Sequence, residues 1–455
     1  MKARLALLRF NAINSFWFVP GLMLAGAIVL SVVTLELDRA FVNLRQEGRV
    51  WLFPIGAEGA RLILSTIAGS MITVTSLVFS MTLVTLTMAS AQLGPRLLRT
   101  FMEDSVNQVV LGIFCATFIY ALLILRTVYG TSDGAFVPAI SVITAMTLSV
   151  ASVALLIYFI HHIATSIQAD SVIAHVARQL DKTIDTLFPE QRADPKWATA
   201  ADEACLPAGF EEAAKRIPVE GTGYVETVDY DGIFHLAAAH DLIVRLECRP
   251  GHFLIDAGVA ASAWPGDHVN EAVATKIRAA IVLGPTRTAA QDPEFAAKAL
   301  VEVALRALSP GINDEFTAIA CIDRLGGSLA RVMRRDAPPA ARMDDSGKLR
   351  LLTDPITVEG LFDSAFNQIR QAARDHVAIT IRLIETLTGM SAFIQGDAHY
   401  QAIKKHRDMI ERSSAEFTFE PIDRRDVAQR LKVLDDALGD WRRNRQADGE
   451  PTPVK

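Results

Sequence analysis

Seven hydroxyl-bearing residues recur at helical spacing within the stretch from Leu62 to Leu93, which contains no charged residue. Steps of three, four and seven residues place side chains on one face of a helix, so the seven predict a single polar sector, the hydroxyl stripe. Lipid offers a hydroxyl group no hydrogen-bond partner, and the stripe is therefore expected to face protein or water. The hydroxyl stripe consists of Thr66, Ser70, Thr73, Ser76, Ser80, Thr87 and Ser90.

Two functions are open for the hydroxyl stripe: it lines a hydrophilic pathway, or it lets helices pack closely. The stripe extends over about 24 residues, about 36 Å of helix, which exceeds the hydrocarbon thickness of a bilayer and favours the pathway. Hydroxyl groups are also common where transmembrane helices pack, which favours a packing surface. Thr75, Thr82 and Thr85 lie off the stripe, so the polar sector is broad or these hydroxyls bond within their own helix.

A pathway along this helix requires several copies of the chain, because one helix cannot enclose a column of water. We therefore expect a cyclic homo-oligomer with the stripes around its axis. No Asp, Glu, Lys or Arg is expected deep within a span, and this absence favours passive movement of small ions or polar solutes over coupled transport. The alternative is a membrane-anchored ligand-sensing or scaffold protein with no conductance.

Proline and charged residues directly after the stripe form a candidate inner mouth of the pathway. Pro95 is expected to end or bend the helix beside them. In a ring of subunits, these residues make adjacent basic and acidic belts that screen ions. The alternative is that the arginines only contact lipid phosphates. The predicted inner mouth consists of Gln92, Pro95, Arg96, Arg99, Glu103 and Asp104.

A second group of polar residues surrounds two predicted helix starts in the polar half of the chain. Helix N-termini with a nearby arginine hold anions, so this group is a candidate site for a phosphorylated ligand, and a third functional class is an enzyme using it. The structural interpretation is helix capping together with a buried Arg306–Asp314 pair. The candidate ligand or structural cluster is Arg287, Asp292, Arg306, Asn313 and Asp314.

The sequence carries no motif of an established catalytic, metal or cofactor site. It has neither a P-loop lysine motif nor a dinucleotide-binding glycine fingerprint. His235, His240 and His252 are spaced too irregularly against the neighbouring acids to indicate a metal site. The net charge is −6 without a long basic run, which argues against nucleic acid as a partner. We therefore predict a protein that is not an enzyme and binds no cofactor or metal.

Four stretches are apolar and long enough to cross a bilayer, and the mean hydropathy of the chain is +0.27. The basic residues of the short loops, with the amino-terminal group, favour cytoplasmic N and C termini, and the unpaired cysteine spacing agrees with a reducing compartment. The fold class is therefore an α-helical membrane protein with four transmembrane helices and a soluble α+β cytoplasmic region. The predicted spans are Phe16–Leu35, Leu62–Leu93, Val106–Leu125 and Phe136–Ile163.

Alternating segments between Pro218 and Pro265 indicate strands of a compact β module. Its two glycine-bounded halves resemble the barrel-sandwich hybrid of lipoyl and biotinyl domains, but no lysine lies between Val219 and Thr275 to carry a prosthetic group. The predicted parts are a transmembrane domain at 1–170, a connecting helix and linker at 171–215, the β module at 216–266, an α-rich part at 267–345, a C-terminal helical part at 346–445 and a disordered tail at 446–455.

Local signals predict further boundaries in the soluble half. Asn270 to Ile281 predicts a short helix followed by a strand. Asp292 is the expected cap of one helix, and a second helix starts near Asn313 or Asp314 and ends before Gly326-Gly327. The turn Asp344-Asp-Ser-Gly347 ahead of an apolar run predicts a hairpin.

Two motifs carry a resemblance to a known family. Ala91-Gln-Leu-Gly-Pro-Arg96 follows the hydroxylated span, and Arg306-Ala-Leu-Ser-Pro-Gly-Ile-Asn-Asp314 comes later. With the third span, these motifs resemble a bacterial family of predicted membrane proteins, catalogued as domain of unknown function two-two-five-four, over most of the chain. Glu315 follows the second motif where similar sequences tend to have proline. The resemblance implies a bacterial inner-membrane location and no specific reaction.

Overall fold

The structure, a computed structural model, forms two units, Met1–Ser171 and Val172–Lys455. We call the first the membrane unit and the second the soluble unit. The residues that the structure describes are 17–45, 56–94, 105–131, 134–166, 168–188, 197–198, 206–336, 340–417 and 420–447.

Four long apolar helices make up the described part of the membrane unit, and each is long and apolar enough to cross a bilayer. They confirm the four predicted spans. A short antiparallel hairpin, β1 (Tyr129–Thr131) and β2 (Gly134–Phe136), lies between the last two helices. The helices are α1 (Phe18–Arg45), α2 (Ala57–Leu93), α3 (Ser105–Thr127) and α4 (Ala139–Ser166).

Helix α3 is the central helix of the membrane unit and packs against α1, α2 and α4. Half of its most apolar window is buried, against 22% for each of the other three helices. Gly112 permits a close approach to α1, because a Cβ atom at this position would lie 2.4 Å from Met23 Sδ and 3.2 Å from Pro20 Cα. Within the described part of one chain, the outer surfaces of α1, α2 and α4 are therefore left uncovered.

The soluble unit combines helices with two small sheets. The helices from the membrane unit onward are α5 (Ala169–Leu187), α6 (Phe210–Ala213), α7 (Tyr230–Ala239), α8 (Glu271–Ala280), α9 (Pro293–Ala307), α10 (Glu315–Met333), α11 (Val358–Ala372), α12 (Val377–Ser391), α13 (Asp397–Glu416) and α14 (Pro421–Ala447). The strands are β3 (Trp197–Ala198), β4 (Lys215–Pro218), β5 (Gly223–Val228), β6 (Ile243–Leu246), β7 (Phe253–Leu254), β8 (Val259–Trp264), β9 (Ile281–Gly284), β10 (Ala341–Met343) and β11 (Leu349–Leu352).

The larger sheet has the order β3-β10-β11-β6-β8-β4, and the smaller sheet has the order β7-β5-β9. All pairs are antiparallel except β11 with β6. Both sheets and helices α7 and α8 contribute to one apolar core, which includes Val225, Ile233, Val244, Ile277 and Leu351. The sheet is thus completed by strands that come about 100 residues later in the chain, and the barrel-sandwich likeness stays a prediction.

Several local predictions are confirmed. Asn270 caps α8, which leads directly into β9, and Asp292 and Asp314 cap α9 and α10 through their carboxylates. The hairpin at Asp344 joins β10 to β11. Helix α14 includes the first two residues of the predicted tail, and residues 448–455 lie outside the described part.

The predicted end of α10 at Gly326-Gly327 is wrong, because the helix continues to Met333. Helix α12 packs against α10 at this point. A Cβ atom at position 326 would lie 2.2 Å from Thr386 Cγ2, so Gly326 allows the two helices to approach. The glycine is therefore a packing residue and not a helix terminator.

Candidate functional site

The described residues of the hydroxyl stripe lie on the outer surface of α2. Thr66, Ser70, Thr73, Ser76, Ser80 and Thr87 are all exposed in the single protomer. The opposite face of α2 is apolar and packs into the membrane unit. Its buried residues are Ala60, Leu64, Ile67, Ala68, Met71 and Val78. No helix of the same protomer therefore covers the stripe over the described part of α2.

Four stripe hydroxyls donate hydrogen bonds to the helix that carries them. Thr66, Thr73, Ser76 and Thr87 donate to the carbonyl oxygen four residues earlier, at distances of 2.7, 3.0, 3.0 and 2.8 Å. Their oxygen lone pairs remain on the outer surface, where they can accept from water or from another helix.

Two threonines off the stripe also bond within α2. Thr75 donates to the Met71 carbonyl at 2.6 Å, and Thr82 donates to the Val78 carbonyl at 2.8 Å. Both are partly buried on the packed side of the helix. Hydrogen bonds within α2 therefore satisfy the hydroxyls of Thr75 and Thr82. These two residues do not broaden the exposed polar sector.

Most of the predicted inner mouth lies outside the described residues. This applies to Pro95, Arg96, Arg99, Glu103 and Asp104, and also to the side chains of Ser90 and Gln92. The predicted belts of charge at the end of α2 therefore stay a prediction.

The interior of the membrane unit contains a buried carboxylate that sequence reasoning missed. Asp38 of α1 is 4% exposed and accepts hydrogen bonds from the backbone N–H groups of Ile140 and Ser141, at 2.8 and 2.9 Å. The Ser141 hydroxyl donates to the same carboxylate at 2.6 Å. Asp38 thus caps the N-terminus of α4 from a different helix, where a negative charge is favoured by the unpaired N–H groups and the helix dipole.

Hydroxyl groups extend this interior network. Thr34 and Tyr120 lie 2.8 Å apart through their oxygens, and the Tyr120 hydroxyl donates to the Ser141 carbonyl at 3.2 Å. Asp38 follows Thr34 by four residues, so both lie on one face of α1. The four-residue spacing of Thr34 and Asp38 could have indicated this shared face. However, Asp38 lies beyond Leu35, which is the predicted end of the first span. The network fixes α1, α3 and α4 to one another.

The structure places the residues of the candidate ligand or structural cluster at two separate positions in the soluble unit. Arg287 contacts the buried Asp292 carboxylate through Nη2 at 2.5 Å and Nε at 2.9 Å. Asp292 also accepts from the Phe295 N–H at 2.9 Å. Gly251 lies against this pair, because a Cβ atom there would be 2.2 Å from Asp292 Oδ2. The charge of Arg287 is therefore matched by Asp292, and the pair ties a loop to the start of α9.

The second place is the turn between α9 and α10. Ser309 donates through its hydroxyl to the Arg306 carbonyl at 2.6 Å, and Asn313 adopts a left-handed φ of 51°. Asp314 accepts from the Thr317 N–H at 3.1 Å and from its hydroxyl at 2.6 Å, which holds the pKa of Asp314 below its ordinary value. The carboxylates of both places serve as helix caps, and a ligand there stays a prediction.

A row of polar side chains around the buried His406 lies between α11 and α13. His406 is 1% exposed, and its Nε2 lies 3.2 Å from Asp363 Oδ1. Burial lowers the pKa of His406 to about 4, against the opposing effect of Asp363. Arg370 donates to the Ser413 hydroxyl at 2.5 Å. No pattern in the sequence indicates this row, since its members come from helices about 40 residues apart.

The chain belongs to a family described as "Predicted membrane protein (DUF2254)", whose model matches residues 13–389. It is 36% identical over 296 residues to uncharacterized proteins of Mycobacterium bovis and of two strains of Mycobacterium tuberculosis. The match covers 64% of this chain and 56% of those relatives, so the chain spans little more than half of their length. No solved structure matches the chain. The resemblance predicted from the two motifs is confirmed: the chain belongs to a family of predicted membrane proteins, and its described part has four helices long and apolar enough to cross a bilayer.

Proposed function

We propose that the protein is an oligomeric bacterial inner-membrane channel that passes small ions or polar solutes along the hydroxyl stripe of α2. The copies form a cyclic homo-oligomer with cytoplasmic N and C termini, and the soluble unit assembles or gates it. The observation that carries the proposal is the outward position of the stripe, opposite the packed face of α2. A lone protomer leaves this row of hydroxyls to lipid, whereas a ring of copies turns it toward a shared interior.

The chemistry of the stripe supports passive movement. Between Thr66 and Thr87 the exposed face carries hydroxyl oxygens interspersed with apolar side chains such as Leu77 and Val84, and no charged group, so it offers weak sites that a solute can enter and leave. Asp38, the buried carboxylate of the membrane unit, holds the N-terminus of α4 and is not part of the stripe. Coupled carriers place an ionisable residue on the transport pathway, and the stripe has none.

A second candidate is a membrane-anchored ligand-sensing or scaffold protein with no conductance. It is supported by the hydrogen bonds that four stripe hydroxyls donate to their own helix. Hydroxyl groups that already donate a hydrogen bond to their own helix can be buried where two helices pack without water.

Conductance of the purified protein in planar bilayers separates the two candidates. The channel predicts single-channel steps that Ser80→Phe or Thr73→Leu reduces at least several-fold, because a large apolar group then occupies the stripe. Val150→Phe is the matched control, since Val150 is 72% exposed on α4 and lies away from the stripe. An oligomer without conductance, in all variants, would favour the scaffold.

A further inference from the structure

An open groove on the soluble unit runs between α10 and α12. Its volume is about 330 Å³, and three glycines and one alanine are among the residues that line it. The lining residues on which the argument depends are Asp323, Gly326, Gly327, Arg382, Glu385 and Gly389.

Two glycines of this groove have no packing role within the protomer. Gly326 is required by the contact with Thr386, but a Cβ atom at Gly327 or Gly389 would meet no atom within 4 Å. Glycine within a helix is unfavourable relative to alanine, because it increases the backbone freedom of the unfolded chain. Both glycines therefore keep open a space that the isolated protomer does not use.

The charged rim of the groove indicates what kind of group fits. Arg382 Nη2 lies 2.8 Å from Asp323 Oδ2, and its Nη1 lies 3.3 Å from Glu385 Oε2. Arg430 Nε contacts the other Glu385 oxygen at 3.3 Å. The rim is thus neutralised by its own ion pairs, and it complements an uncharged apolar group rather than an ion.

Helix α10 itself carries an exposed apolar side chain. Phe316, in the first turn of α10, is 84% exposed, more than any other large apolar side chain in the described part of the chain. Phe316 and Gly327 are eleven residues apart, about 16 Å along one helix, so a chain cannot place its own Phe316 in its own groove.

We propose that Phe316 of one copy inserts into the α10–α12 groove of a neighbouring copy. In a head-to-tail arrangement, each copy gives one phenyl ring to one neighbour and receives one from the other, and such a contact forms a ring when its rotation closes. The inference rests on the cyclic homo-oligomer of the proposed function and names the contact that assembles its soluble units. The other occupants of the groove, a different protein or a small molecule, are outcomes of the test.

Cross-linking between two variants of the full-length protein tests the contact. Phe316→Cys and Gly327→Cys chains with different tags are co-expressed and treated in membranes with a short bismaleimide. The contact predicts a mixed dimer, and the chain with both substitutions forms a ladder that ends at the ring size. Ile422→Cys, at an apolar position 59% exposed on α14, replaces Phe316→Cys in the control. A mixed dimer no stronger than this control would overturn the proposal.

Assembly in detergent gives an independent measurement. Phe316→Ala and Gly327→Leu are expected to shift the particle mass from oligomer to protomer, whereas Ile422→Ala leaves it unchanged. Gly327→Leu also fills open space with a better helix former, so the far-UV circular dichroism and unfolding temperature of the protomer are retained or raised. An oligomer that survives both substitutions would contradict the proposal.

The contact and the channel fail separately. If mixed dimers form but the bilayers show no conductance, the contact between copies is supported and the channel is disproved. If single-channel steps are observed but mixed dimers do not form, the channel is supported and the Phe316 contact is disproved.

Discussion

Helices α2 and α3 pack against each other and are both apolar enough to cross a bilayer, but they have opposite places in the membrane unit. Helix α3 is covered by three helices, and its polar groups Thr117 and Tyr120 meet partners on α4 and α1. Helix α2 buries one apolar face and exposes its hydroxyls. Hydroxyl groups alone therefore do not define a pathway, because the side of the helix on which they lie decides whether they meet partners within the chain or remain on its outer surface.

The largest expected effect comes from removing an aromatic ring from each helix. Phe114 of α3 is fully buried, and Phe79 of α2 is 44% exposed. Phe114→Ala is expected to cost about 3–5 kcal/mol of stability, because it leaves a cavity in the core of the unit. Phe79→Ala is expected to cost much less. Unfolding of the detergent-solubilised protein measures both, and equal losses would contradict the peripheral position of α2.

The next effect concerns the interior network around α3. Asp38→Ala removes the acceptor of the Ile140 and Ser141 N–H groups and is expected to destabilise by about 1–3 kcal/mol. Glu36→Ala is the control, because the Glu36 side chain is 61% exposed. The unfolding temperature reports the difference. No loss for Asp38→Ala would show that the cap contributes nothing.

A pH experiment extends the comparison to the soluble unit, where buried polar groups are less well paired. His406 is held neutral when folded, with a pKa of about 4 against an ordinary 6.5. Between these values the unfolded chain binds one more proton, so stability falls as the pH falls, by up to about 1.4 kcal/mol per pH unit. Asp363 from α11, and Lys405 and Arg370, face this ring.

The His406→Gln variant isolates this contribution. Its unfolding temperature is expected to change less between pH 7 and pH 5 than that of the unsubstituted protein. His235→Gln is the control, because His235 is exposed. The same pH dependence in all three proteins would remove the assignment to His406.

The smallest expected effect compares one substitution on the two membrane helices. Thr117→Val on α3 loses the contact with Ser152, at 3.3 Å, and is expected to cost about 1 kcal/mol. Thr73→Val on α2 is expected to change protomer stability by less than about 0.5 kcal/mol, because its hydroxyl bonds only its own helix. A larger loss at Thr73 would indicate a partner within the protomer.

The features that sequence predicted are the local ones. Asp292 and Asp314 predict helix starts, because a capping side chain bonds an N–H group only three residues later. The junction of α8 and β9 is likewise predicted by the residues of that segment alone. The spans follow from composition over about 20 residues. These signals need no knowledge of distant parts of the chain.

The features that sequence missed depend on distant residues. Asp38 meets Ser141 across 103 positions, and β11 pairs with β6 across a similar separation. Gly326 ends no helix because Thr386 lies against it. Helical spacing predicted that the stripe shares a face, but only the packing of α2 against α3 shows that this face is the outer one.

The rate at which water-soluble reagents reach the stripe shows whether it lines a hydrated interior. Cysteine is placed at Thr73, at Ser80 and, as the control, at Val150, an apolar position that is 72% exposed on α4, and a charged membrane-impermeant thiol reagent is added to the protein in membranes. A hydrated interior shared between copies predicts that Thr73→Cys and Ser80→Cys react at least ten times faster than Val150→Cys. Reaction at the stripe as slow as at Val150 would contradict the account.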